Sequence, residues 1–174
     1  MARTIVHIGR KIRVAIDEEL NAAGQLIRRD VVLHPGAVAI LPLLDEQRVC
    51  LLRNRRPNVG DTLWEIPAGT LEPDEPIEHA AARELAEETG YTAGSLRKLH
   101  AFFPSPGVLS ERTHLFVAEQ LTPGPTRLEA DEQIEPVVVP FSQAFEWCLD
   151  GTIRDAKTLV ALLLWQQLRG RVSG

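Results

Sequence analysis

Apolar residues in this chain come mostly in short blocks of strand length, and only three stretches repeat at helical spacing. Ala37 to Leu44 is apolar at nearly every position, which predicts a strand buried on both faces. Arg48 to Arg53 predicts a second strand, joined to the first by Asp45-Glu46-Gln47. Leu63 to Pro67, Ser95 to Phe103, Thr113 to Glu119 and Val137 to Val139 predict four more. Nearer the start, Lys11 to Ile16 and Gln25 to Leu33 are β-type runs separated by a polar Asn-Ala-Ala-Gly turn, consistent with a small appended sheet.

Ile77, Ala81 and Leu85 recur every fourth residue and form a narrow apolar stripe, so the segment around them predicts a helix with one face on a core. Pro76 suits its first turn, Asp74 or Glu75 can cap it, and Gly90 stands where a C′ glycine is expected. Residues 141–149 and 155–169 predict two amphipathic helices. Strands on both sides of a helix, with further helices at the end, imply an α/β or α+β sandwich. Between these elements lie a basic loop from Arg53 to Gly60, a loop from Phe103 to Arg112 and an acidic loop from Glu129 to Glu135.

The central helix carries the chemistry. Glu84, Glu87 and Glu88 are spaced i, i+3, i+4, which puts three carboxylates on one patch with Cβ atoms roughly 5–6 Å apart. Two carboxylates about 4 Å apart repel by roughly 4 kcal/mol at an effective dielectric near 20, whereas an Arg83–Glu87 pair returns about 0.3–0.5 kcal/mol. One arginine is therefore expected to fall short of explaining the cluster, and a hard divalent cation such as Mg²⁺ or Mn²⁺ would explain it.

Composition narrows the partners. A length of 174 residues suits one domain, and 44% apolar with 25% charged residues is the make-up of a globular protein. A net charge of −5 without a basic stripe argues against nucleic acid or an anionic membrane as partner. The first residues lack an apolar leader core, and Leu159 to Trp165 is too short to span a bilayer, so a cytoplasmic location is expected. Cys50 and Cys148 have no metal-type spacing and read as free thiols. His34, His79, His100 and His114 show no ligand spacing either, and Trp64 and Phe102 read as core.

Gly69, five residues, Glu75, seven more, then Arg83-Glu84-Leu85-Ala86-Glu87-Glu88-Thr89-Gly90-Tyr91 match without departure the signature of the Nudix hydrolase family, and on that box the chain resembles the family. The resemblance implies the Nudix fold, a mixed sheet between helices, over residues 36–170, with residues 1–35 a β-stranded extension exchanged within a homodimer. It also implies hydrolysis of a phosphoanhydride with two or three Mg²⁺ ions per site, Mn²⁺ being an alternative. The metal ligands it implies are Glu84, Glu88, an added Glu87 and the Ala68 carbonyl, with Arg83 orienting Glu87 or Glu88.

Outside the box, Pro106 falls sixteen residues after Gly90 in Phe103-Pro104-Ser105-Pro106-Gly107, followed by Glu111. That loop, Arg28 to Ala39, and Arg56-Pro57 are similar to the ADP-ribose pyrophosphatase subfamily. The implied substrate is ADP-ribose, cut to AMP and ribose 5-phosphate, with GDP-mannose or another nucleoside diphosphate derivative as the alternative and a non-catalytic ADP-ribose-binding domain a more distant one. By the same likeness, Arg28 of a partner subunit and Arg56 contact adenine or phosphate, and Ser105, Gly107 and Glu111 contact the terminal ribose. The general base is expected in the acidic loop, Glu132 first, with Glu111 and Glu135 behind it.

Overall fold

A computed structural model describes residues 1–128, 130 and 132–172, with side chains described as far as residue 169. Three sheets and three helices make up these residues. The four-stranded sheet has the order β7(Ala68–Thr70), β4(Ala37–Pro42), β9(Thr113–Pro123), β8(Tyr91–Phe102). Its centre pairs β4 with β9 in parallel, while β7 and β8 run antiparallel to their neighbours, so the sheet is mixed. A three-stranded antiparallel sheet follows the order β10(Ile134–Pro140), β5(Arg48–Arg56), β6(Asp61–Glu65).

Side-chain alternation divides the interior into two cores. Ala39 and Leu41 of β4 with Leu115 and Val117 of β9 face the larger core, closed by β5, by α2(Phe141–Leu149) and by α3(Ala156–Val172). Val38, Ile40, Phe116 and Ala118 point the other way, onto Ala80, Ala81 and Leu85 of α1(Ile77–Thr89). The run from Ala37 is thus apolar throughout because both of its faces are covered, as its composition predicts. Trp64 and Phe102 pack against the larger core, and Trp64 lies 4.8 Å from Trp147 between ring centroids.

The helix carrying the signature ends as expected. Gly90 takes a left-handed conformation, φ 75°, and donates its N–H to the Ala86 carbonyl. Its start differs from the expectation: Pro76 occupies the N-cap position and neither Asp74 nor Glu75 caps the helix with its side chain. Glu75 is instead drawn to Arg83, which takes both of its carboxylate oxygens at 3.0 Å.

Other departures come from tertiary pairing. β4 and β5 follow one another but enter different sheets, linked by a single antiparallel bridge between Leu43 and Val49. The basic segment from Arg53 is strand as far as Arg56, because β10 and β6 pair with it on either side; a 3₁₀ turn at Pro57–Val59 then reverses the chain. The N-terminal sheet holds three strands, β1(Ala2–Ile8), β2(Arg13–Leu20) and β3(Leu26–Leu33), where two runs were legible. The extra one, β1, is exposed at all seven positions and so shows no alternation. Among the described residues no helix is long and apolar enough to cross a membrane.

Candidate active site

The loop between β7 and α1, the open end of β5 and the first turn of α3 enclose a cavity of about 860 Å³. Arg83, Glu84 and Glu88 form its wall from α1, Ala68 and Gly69 from β7, Arg56 from β5 and Lys157 from α3. Glu132, just before β10, and Glu111, just before β9, also line it.

Each acid on the helix is held differently. Arg83 donates Nη1 to Glu84 Oε1 at 2.8 Å and to Glu87 Oε2 at 3.0 Å, while its Nε and Nη2 take Glu75. One guanidinium therefore serves three carboxylates, more than the pairwise estimate from the sequence allowed, and its own pKa is driven upward, first by the Glu75 hydrogen bonds. Glu88 makes no salt bridge among the described residues, although the charges of Arg56 and Lys157 reach it. Its Oε2 accepts the backbone N–H of Ala68 at 2.8 Å, and burial pushes its carboxyl up to about 8, with Glu84 and Glu132 adding like charge. Glu84 is also raised, by burial first and then, against Arg83, by Glu87 and Glu132. Arg83 touches Glu84 and Glu87, and of the two alternatives expected for it, Glu87 or Glu88, it contacts Glu87.

The donor set fits a divalent cation. Glu84 Oε2 and Glu88 Oε1 accept no hydrogen bond among the described residues, and the like charge of Glu132 bears on both carboxylates, which favours a cation between them. No group of three or more His, Cys, Asp or Glu side chains is already gathered to hold an ion among the described residues. Glu87, with its side chain 35% exposed, does not line the cavity.

Opposite charge comes from several basic residues at the cavity wall, Arg10, Lys11 and Arg55 among them, and two others, Arg56 and Lys157, share one buried acid. Arg56 donates Nε and Nη2 to Glu65 at 2.8 and 2.6 Å, and Lys157 donates Nζ to the same carboxylate at 2.5 Å. Glu65 is only 1% exposed. On the far side, Thr113 donates its hydroxyl to Glu111 Oε1 at 2.8 Å, and His34 Nδ1 stands 3.9 Å from Glu111 Oε2.

Several residues singled out in the sequence thus come together, namely Arg56, Ala68, Arg83, Glu84, Glu88, Glu111 and Glu132. Ser105 and Gly107 are exposed on the loop between β8 and β9 and do not line the cavity, and Arg28 is exposed on β3, paired with Glu18 at 2.7 Å. Glu135 is exposed and pairs with Arg53 at 3.6 Å, outside the cavity. Glu129 and Asp131 of the acidic loop lie outside the described residues.

Sequence reading missed Lys157 and the role of Glu65. A signal was there: Lys157 falls in the first turn of a helix, where a positive charge opposes the helix dipole and needs acidic company. Glu65 was the one acid inside the apolar run Leu63-Trp64-Glu65-Ile66.

Residues 33–162 match the family model described as NUDIX domain. The chain is 37% identical over 164 residues to an ADP-ribose pyrophosphatase of Bacillus subtilis, covering 93% of this chain and 89% of that one. It is 40% identical over 170 residues to a GDP-mannose pyrophosphatase of Klebsiella pneumoniae subsp. pneumoniae, covering 90% and 84% respectively. A solved structure of an ADP compounds hydrolase shares the fold, with a TM-score of 0.82 at 24% identity over 98% of this chain and 94% of that chain.

Proposed function

The chain belongs to the NUDIX family, and on that premise we propose that it is a metal-dependent pyrophosphatase that hydrolyses the phosphoanhydride bond of ADP-ribose to AMP and ribose 5-phosphate. The observation that carries this reading is the set Glu84, Glu88 and Glu132 around one cavity that also holds Arg56 and Lys157. Such a cavity has acids for cations and cations for a diphosphate.

Glu84, Glu88 and the Ala68 carbonyl hold Mg²⁺, with Glu87 as an added ligand; two or three ions serve one site, and Mn²⁺ substitutes. When bound, the ions neutralise phosphate charge and make the attacking water easier to deprotonate. Glu132 takes the proton from that water; its nearness to Glu84 and Glu88 supports this choice over Glu135, which is turned toward Arg53. A bond forms from the water oxygen to one phosphorus while the bridging P–O bond breaks, and the leaving phosphate carries away the negative charge. Arg56 and Lys157 hold diphosphate oxygens through the donors that Glu65 leaves over. Glu111, fixed by Thr113, takes the terminal ribose with the Ser105–Gly107 segment.

The working form is a cytoplasmic homodimer in which residues 1–35 exchange and Arg28 of the partner subunit reaches the base. Exposed Ile5, Val6 and Ile8 on β1 support an exchanged sheet, and the free thiols Cys50 and Cys148 suit a reducing compartment. The 40% identity to a GDP-mannose pyrophosphatase favours one second reading, the same hydrolysis on a nucleotide sugar. Initial rates on ADP-ribose and GDP-mannose with Mg²⁺ test both: release of AMP at the higher kcat/KM upholds ADP-ribose, and the reverse order replaces it.

A further inference from the structure

Glu65 is a charged side chain 1% exposed, at the end of β6, between two basic residues from distant parts of the chain. Arg56 uses Nε and Nη2 on it, two of five N–H donors, and makes no other hydrogen bond among the described residues. Lys157 spends one N–H on Glu65 and one on Asp155 at 2.8 Å, which leaves the third of its three donors. Both residues line the cavity, and the charges of both bear on Glu88.

The first turn of α3 is clamped to the same place. Asp155 Oδ2 accepts the N–H and the hydroxyl of Thr158 at 3.0 and 2.5 Å, and the Thr158 hydroxyl accepts the N–H of Ile66, next to Glu65, at 2.8 Å. A salt bridge built only for stability has no need of unspent donors at a cavity wall. Here both cations keep them, and their rotamers are locked from behind by an anion that solvent cannot reach.

We propose that Glu65 is a positioning residue: its carboxylate holds Arg56 of β5 and Lys157 of α3 as one preorganised cationic pair that receives the diphosphate in the cavity. Glu65 itself does not touch the substrate; it acts through the two heads, and it makes the dock of α3 on β6 part of the site. This inference rests on the diphosphate reading above, and it adds that the two cations act as a unit.

The test is a double-mutant cycle on ADP-ribose with saturating Mg²⁺, using Glu65→Gln, Lys157→Met and the pair. Glu65→Gln is expected to lower kcat/KM about tenfold or more, and the double variant to lose clearly less than the product of the single losses. Mn²⁺ affinity, measured with the metal alone, is expected to stay within about twofold, which a general loosening of the site would not allow. Glu65→Gln with wild-type kcat and KM, or single losses that multiply, overturns the proposal. Should Glu65→Gln fail to fold, Glu65→Asp replaces it, keeping the charge while withdrawing it by one methylene, and the same coupling is read. If the wild type does not cleave ADP-ribose, that reading fails by itself. The cycle is then run on affinity for inorganic pyrophosphate with excess Mn²⁺, where coupled losses uphold the pair and unchanged affinity overturns it.

Discussion

A Cβ built on Gly69 would stand 1.8 Å from Oε1 and 1.9 Å from Cδ of Glu84, so the glycine backbone and the carboxylate share a space that no side chain can enter. Strand β7 and helix α1 meet there, and the position of Glu84 depends on the missing methyl. Gly69→Ala is expected to push Glu84 aside and reduce kcat/KM by roughly 10²-fold, the cost of displacing a catalytic group by about 1 Å. Steady-state rates beside a thermal melt check this; a variant of normal activity means that Glu84 swings freely.

How far the sequence spoke for itself depended on what kept each element in place. β4 and α1 were legible because their own neighbours along the chain carry the pattern, apolar throughout for one and every fourth residue for the other. β1 was not, since a strand exposed at every position has no alternation to read. Arg83, Glu84 and Glu88, which share the cavity, lie within one contiguous signature, and Ala68 directly precedes it. Lys157 lies 92 residues from Glu65, and only the docking of α3 on β6 makes them partners. The reach of Arg83 to Glu75 was likewise hidden, because a helix-start acid is ordinarily taken for a cap.

Metal should stabilise the fold through the acids of α1. At a Mg²⁺ concentration about a hundred times Kd, linkage contributes ~2.7 kcal/mol, or roughly 5–10 °C in Tm for a chain of this size. Glu88→Gln is expected to abolish that shift and the activity while leaving the metal-free protein at least as stable. Glutamine keeps an acceptor for the Ala68 N–H and removes a carboxylate that burial, with Glu84 and Glu132, pushes up to about 8. Differential scanning fluorimetry with and without Mg²⁺ decides, and an undiminished shift in the variant would place the ion elsewhere.

The base assignment is testable through the segment that carries it. Arg55 donates its backbone N–H to the Gln133 carbonyl at 3.1 Å and its Nη1 to Gln133 Oε1 at 3.0 Å, fixing the residue next to Glu132 to the end of β5. Glu132→Gln is expected to lower kcat by roughly 10²–10⁴-fold with KM little changed, as loss of general-base catalysis does. Arg55→Ala is expected to give a smaller fall in kcat of the same kind. If Glu111→Gln produces the larger kcat effect, the roles of the two glutamates are exchanged.

The proposed homodimer, with its site shared between subunits, makes a different sort of prediction. Arg28 lies on β3 and Glu88 on α1, and Arg28 does not line the cavity of its own chain. Separately purified Arg28→Ala and Glu88→Gln proteins are each expected to be weak or inactive on ADP-ribose. Unfolded together and refolded, they should recover part of the wild-type rate, because mixed dimers contain one site with both residues intact. No recovery from a mixture that sizes as a dimer would confine each site to a single chain.

Acid should unmake the Glu65 cluster in a definite order. Burial pushes the Glu65 carboxyl up, but the hydrogen bond from Arg56 and the charge of Lys157 outweigh it and hold the group below its usual range. A carboxyl with a lower pKa folded than unfolded adds stability above the unfolded value, about 4.3, and that stability is lost as pH falls through the folded value. Glu65→Gln is therefore expected to cost about 1–3 kcal/mol at pH 7, less than the 3–5 of a fully buried broken pair because the side chain of Arg56 is 44% exposed. The difference from wild type should then begin to shrink as the pH falls below the unfolded value of about 4.3 and vanish only at the lower folded value, where Glu65 itself becomes neutral. Urea unfolding of both proteins from pH 3 to pH 7 reads the change. A penalty that stays constant across that range would mean that the carboxylate's shape, rather than its charge, holds Arg56 and Lys157.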